Sequence, residues 1–118
     1  GGPEARNLIP ILERFLRDKH HHRRTLAAKV LGELGPDAAS AAPVLVWALD
    51  DKDEYVRTGD YDKKRDESWA VRWNAAEALG NIGVRSPEVV AALKRATADA
   101  DNKVVVRARK SLSALGEQ

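Results

Sequence analysis

Three histidines in a row, His20, His21 and His22, stand between Arg17 and Lys19 on one side and Arg23 and Arg24 on the other. Clustered imidazoles suggest a metal, and clustered cations suggest a phosphate backbone. Adjacent side chains in a turn do not aim at one point, however, and the sequence sets no carboxylate or fourth ligand beside them. No metal is therefore expected. A second basic cluster, Arg107, Arg109 and Lys110, is interrupted by Val104 to Val106 and by Ala108, whereas a nucleic-acid face wants an unbroken basic stripe. Trp69 and Trp73 lie four apart, hence on one face of a helix. Large rigid aromatics so placed can anchor a partner, or Trp69 can pin a neighbouring loop. For catalysis the chain offers neither a nucleophile elbow nor a glycine-rich phosphate loop, and it has no cysteine. These residues predict a protein that is not an enzyme and takes no cofactor.

Bulk properties narrow the class. The chain has 118 residues, of which 43% are hydrophobic, 32% charged and 5% aromatic, with alanine abundant. That composition favours tightly packed helices over a sheet, which leans on aromatic and β-branched residues. Twenty basic against 18 acidic side chains leave a formal charge of +2, too mixed to demand nucleic acid. The lack of cysteine fits a reducing compartment, and a cytoplasmic location is expected. No apolar run approaches the ~20 residues of a membrane span. The absence of methionine, with Gly1 and Gly2 first, predicts that residue 1 is not a native start.

The elements that must carry these side chains are repeated. Val71 to Gly83, VRWNAAEALGNIG, aligns with Arg23 to Gly35, RRTLAAKVLGELG, and with Val104 to Gly116, VVVRARKSLSALG. Small residues recur at Ala27, Ala75 and Ala108, leucines at Leu31, Leu79 and Leu112, and an aliphatic residue follows at Leu34, Ile82 and Leu115. On a helix those offsets share one face, with small residues where a neighbouring backbone comes close. The closing glycine supplies the left-handed conformation that stops a helix. The segments ahead of each copy also align. Shifting by 33 places Pro43 on Pro10 and Leu45 on Leu12, and shifting by 48 places Leu45 on Leu93. Each unit is thus a helix A and a helix B joined by an acidic turn. Bends are expected at Pro10 and Pro43, and Ser86-Pro87 should cap and open the third helix A. The difference between the two shifts, 15 residues, equals the distance from Val56-Arg57 to Val71-Arg72. It marks an insertion in the second unit.

With these segments, GPDAASAAPVLVWALDDKDEYVR and VRWNAAEALGNIG above all, the chain resembles HEAT repeats, in particular the short HEAT-like class of the phycobilisome lyases. The resemblance covers nearly all of the chain apart from the insertion around Thr58 to Ser68. It implies an all-α fold, an α-solenoid or α-α superhelix of three helix pairs with six main helices and B helices on the concave side. The units would run about 4–35, 36–83 and 84–116, with the insertion at about 57–69, all in one domain, 1–118. It also implies a ladder of turn aspartate and helix B arginine between repeats. Asp53 with Arg72, and Arg24 in the first unit, sit at matching positions, while Val105 stands where the third arginine belongs. Arg109, in the slot of Ala28 and Ala76, reads as a solvent-facing end. The iron-dependent HEAT-like hydroxylases carry His-Glu pairs, and no such pair is seen in this sequence.

On such a scaffold the outward B positions are Thr25, Trp73 and Val106, then Lys29, Glu77 and Lys110, then Glu33, Asn81 and Ala114. The expected function is a non-enzymatic interaction scaffold binding a protein or peptide through Trp69, Trp73, Glu77, Asn81, Thr25, Lys29 and Lys110. Trp47, on a helix A, would cover the convex side. The alternatives are a nucleic-acid module using the basic clusters and a tetrapyrrole lyase or accessory factor as in the namesake class. Nucleic acid and membrane are not expected as partners, and apolar end faces make self-association an open expectation.

Overall fold

The computed structural model describes residues 3–52 and 67–117, the side chain of Pro3 excepted. Along them run α1 (Pro3–Phe15), α2 (His21–Leu34), a 3-10 stretch (Gly35–Ala41), α3 (Ala42–Ala48), α4 (Trp69–Ile82), α5 (Pro87–Ala96) and α6 (Asn102–Ala114). There is no strand among the described residues. This all-α arrangement fits an α-solenoid. The insertion expected from Arg57 falls almost wholly outside the described residues, and Trp69, its last expected member, opens α4.

Helices start and stop where local chemistry dictates. Ser86 has extended backbone and its hydroxyl accepts from the Val89 N–H at 3.2 Å, satisfying one orphan donor of α5 next to Pro87. Asp101 does the same for α6, accepting from Lys103 N at 2.8 Å. The closing glycines all have positive φ, at 60° for Gly35, 81° for Gly83 and 84° for Gly116. Gly83 is left-handed and returns its N–H to the Leu79 carbonyl. Gly35 departs from that pattern with ψ at −140° and leads into the 3-10 stretch. There Ala38 leaves helical geometry at φ −95°, ψ 19°. Pro36 is second in this stretch and Pro43 second in α3, first-turn positions where the missing N–H does no harm. The second helix A is thus divided in two at Ala38 instead of merely bent. Pro10, by contrast, lies inside an unbroken α1.

The B helices pack side by side, α2 on α4 and α4 on α6, while each pairs with its own A helix. The contacts repeat with the sequence. A β-carbon placed on Gly32 would lie 3.0 Å from the Ala78 Cα, and one on Gly80 would lie 2.5 Å from the Ser111 Oγ. Gly32 and Gly80 are 48 apart, and Ala78 and Ser111 are 33 apart, so both joints use the same register. Ser111 sits buried in the second joint and donates to the Ala76 carbonyl at 2.6 Å. The repeated leucines and small residues, Ala27, Leu31, Leu45, Ala75, Leu79, Leu93 and Ala108 among them, form one continuous buried core.

Candidate functional site

The most organised polar feature runs along the turns between A and B helices. Arg24, four residues into α2, reaches from its own turn to the next. Its Nη1 donates to the carbonyls of Asp18 at 2.9 Å and Lys19 at 3.0 Å, and its Nη2 donates to Asp51 Oδ2 at 3.0 Å. Nε lies 2.8 Å from Asp51 Oδ1, charge against charge, without the alignment of a hydrogen bond. Both side chains are 4% exposed. Arg72, at the same place in α4, repeats the pattern. Its Nη1 donates to the Asp51 carbonyl at 2.9 Å and to Ser68 Oγ at 2.8 Å. Nε and Nη2 fork onto the Asp99 carboxylate at 2.8 and 3.2 Å. Such planar, two-point recognition is what a guanidinium does better than an ammonium.

The ladder therefore joins each arginine to the aspartate of the following unit, and its acceptors are Asp51 and Asp99. The expected acceptor Asp53 lies outside the described residues, and its counterpart Asp101 caps α6. The reason is local: an aspartate two residues earlier folds back on the chain, with Asp99 Oδ1 accepting from the Asp101 N–H at 2.8 Å and Asp18 Oδ1 from the His20 N–H at 2.9 Å. That turn fixes the carboxylate facing the arginine. The His20 hydrogen bond, helped by Arg23, holds the Asp18 carboxyl below its usual value. What it adds to stability is present above pH ~4 and fades as pH falls through the lowered value. Val105 takes the arginine's place in α6 and is buried, so the ladder stops there.

The expected binding residues lie along the B helices α2, α4 and α6. Trp69 and Trp73 are half-buried against the core. Neither ring is bare, as cations from α6 lie over both. Lys103 Nζ is 4.3 Å from the Trp69 ring centre and the Arg107 guanidinium is 4.7 Å from that of Trp73. Arg107 also reaches Glu77 Oε2 at 3.6 Å. The structure thus brings Trp73, Glu77 and Arg107 together. Lys29, Asn81 and Lys110 are exposed along the same helices. Thr25 is half-buried, its hydroxyl without a hydrogen-bond partner among the described residues. Arg107, read from sequence as part of a basic cluster, is occupied by the tryptophan and the glutamate. Lys103 was not singled out, although it sits four residues before Arg107 on the same face.

Trp47 is 49% exposed with the Arg17 guanidinium 5.0 Å from its ring centre. His21 and His22 stack on each other with ring centres 4.1 Å apart. Among the described residues no group of three or more His, Cys, Asp or Glu is arranged to hold a metal ion. The described residues do not fit an iron site of the hydroxylase kind. None of the described helices is long and apolar enough to cross a membrane.

Comparison with known proteins bears on both fold and activity. No curated protein matches the chain in sequence. A solved structure of human deoxyhypusine hydroxylase in complex with glycerol is 28% identical, with a TM-score of 0.68 over 98% of this chain. The chain spans 33% of that protein's length. The expectation that the chain is not an enzyme is corrected by this likeness, because nearly all of it superposes on part of an enzyme. Sequence reasoning missed this for lack of a catalytic motif, and a helical-repeat enzyme need not show one within a single segment. Residues 64–116 match the family model for HEAT repeats, and this match, in line with the ladder and the repeated joints, supports a HEAT-repeat protein.

Proposed function

We propose that the chain is a HEAT-like binding unit of three stacked helix pairs, about 4–35, 36–83 and 84–116, that holds a protein or peptide on its B-helix face. HEAT repeats mediate protein interaction, and the observation that carries this reading is the Trp73 ring held between Arg107 and the core with Glu77 beside it. A half-buried aromatic whose position is fixed by its neighbours offers an anchor at small entropic cost. Exposed Leu26 and Val106, at 52% and 42%, add apolar contact, and Lys29, Asn81 and Lys110 supply a polar rim. Trp69, Thr25 and Glu77 complete the proposed surface. The unit lengths and the GPDAAS turn favour the short HEAT-like class.

Peptides selected from a random library against the chain should bind Trp73→Ala at least ~30-fold more weakly, the mark of an interface anchor. The midpoint of urea unfolding, taken in parallel, separates this loss from loss of fold. Selected peptides indifferent to Trp73 and to Lys110→Glu contradict the reading.

The likeness to deoxyhypusine hydroxylase favours a second reading, in which the same face holds a protein substrate for an enzyme built of such units. A deoxyhypusine-bearing protein bound by the chain and released by Trp73→Ala supports it. No binding at tens of micromolar chain contradicts it.

A further inference from the structure

Arg107 joins the B-helix face with its hydrogen-bonding capacity unspent. Its guanidinium lies over the Trp73 ring, and Glu77 Oε2 answers its charge from 3.6 Å, a separation too long for a hydrogen bond. Among the described residues it donates no hydrogen bond, and its Nε is buried without a partner. A guanidinium carries several N–H donors in one plane, so this one is held in place by the tryptophan and left open to an acceptor. The side chain is 26% exposed.

The charges around it favour an acidic acceptor. Lys103, one turn before Arg107, is 58% exposed, with Nζ 3.2 Å from Asp101 Oδ2. Lys110, one turn after it, is exposed, as is Lys29 on α2, and neither has an ion pair among the described residues. The carboxylates described on this face are those of Glu33 and Glu77. Glu77 occupies the place in α4 that Lys29 has in α2 and Lys110 in α6, and α4 lies between those two helices. A row across the B helices therefore reads cation, carboxylate, cation. A continuous run of phosphates crossing it would meet Glu77 midway. A peptide can bring carboxylates to the two ends and leave the middle to the indole. Packed helices lie about 8–10 Å apart, so Lys29 and Lys110 are separated by about 16–20 Å, the reach of about five or six extended residues.

Given the binding role assigned above to this face, we propose that its occupant is an extended acidic peptide. One carboxylate lies between Arg107 and Lys110 on α6, a second lies at Lys29 on α2, and an apolar side chain between them rests on Trp73. Arg107 then gains the kind of carboxylate contact that Arg72 makes with Asp99.

The test is a selection of random peptides against the 118-residue chain, followed by binding of the selected peptides to variants. Asp and Glu should be enriched over the input library, with acidic positions about five apart around an apolar residue. Arg107→Gln and Lys110→Gln should each weaken these peptides about tenfold, and a rise in salt from ~50 to ~300 mM should weaken them further. Arg109→Gln, two residues from Arg107 and so on another side of α6, should leave them unchanged. Should Arg107→Gln fail to fold, Lys29→Gln and Lys110→Gln, both at exposed positions, give the same readout. Selected peptides without an acidic excess that still lose affinity on Trp73→Ala overturn the acidic occupant and leave the binding face standing. Failure to select any peptide overturns both. Oligothymidylate bound more tightly than the acidic peptides, and released by Arg107→Gln, assigns the face to nucleic acid and overturns the proposal as well.

Discussion

Replacing Asp51 by alanine is expected to cost about 3–5 kcal/mol, the loss typical of breaking a buried ion pair from one side. A domain of this size holds about 5–15 kcal/mol in all, so a large fraction of the molecules should be unfolded in mild urea. The cause is the charge left behind. Arg24 is 4% exposed, and without Asp51 its guanidinium keeps the two carbonyl partners of its own turn but loses the carboxylate it meets at the joint. The joint itself also loosens, since this pair spans from α2 to the turn after α3. Replacing Arg24 and Asp51 together by leucine should recover a good part of the loss, because an apolar pair needs no desolvation of charge. Asp18→Ala should cost far less, since Asp18 shares its carboxylate with solvent. Equal losses from Asp18→Ala and Asp51→Ala in urea titration would show that the ladder does not hold the units together.

Leu79→Ala should lower stability by about 4 kcal/mol, and Leu112→Ala by about half as much, within the range for large-to-small changes in cores. The two leucines occupy the same place in their units, as does Leu31. Leu79 is fully buried in α4, which has α2 along one side and α6 along the other. Leu112 lies in α6, at the far end of the described stack, and retains 7% exposure. A cavity in the middle of a stack is walled on both sides and relaxes less than one at its end. The ordering of the two urea midpoints therefore reports stacking itself, and a larger loss at Leu112 would contradict it.

Most of this architecture could be read from the residues because the repeat writes each structural need more than once. The glycine stops, the leucine column and the small residues of the joints recur at offsets that sequence comparison detects. What it misjudged were features set by direction instead of period. The run Asp50, Asp51, Lys52 and Asp53 offers three carboxylates; alignment alone favoured Asp53, which lies outside the described residues, while Arg24 meets Asp51. Pro36 and Pro43 announced a disturbance in the second helix A, yet its form, a 3-10 stretch ahead of a short α3, depends on how Gly35 enters it. Trp69 and Trp73 were legible as a pair on one helix face. Their cationic cover was not, because Lys103 and Arg107 reach them from α6, and such cross-helix contacts have no signature along the chain. The expectation of no enzymatic role rested on missing motifs, and likeness to a hydroxylase of the same construction overturned it.

The proposed role of the B-helix face is tested most directly by mapping a bound peptide with backbone and indole amide chemical shifts. A peptide selected against the chain should move the Trp73 indole signal together with the amides of Lys29, Glu77, Asn81 and Lys110, and leave those of α1 and α5 in place. Shifts confined to α1, α3 or α5, with the Trp73 indole unmoved, would contradict it.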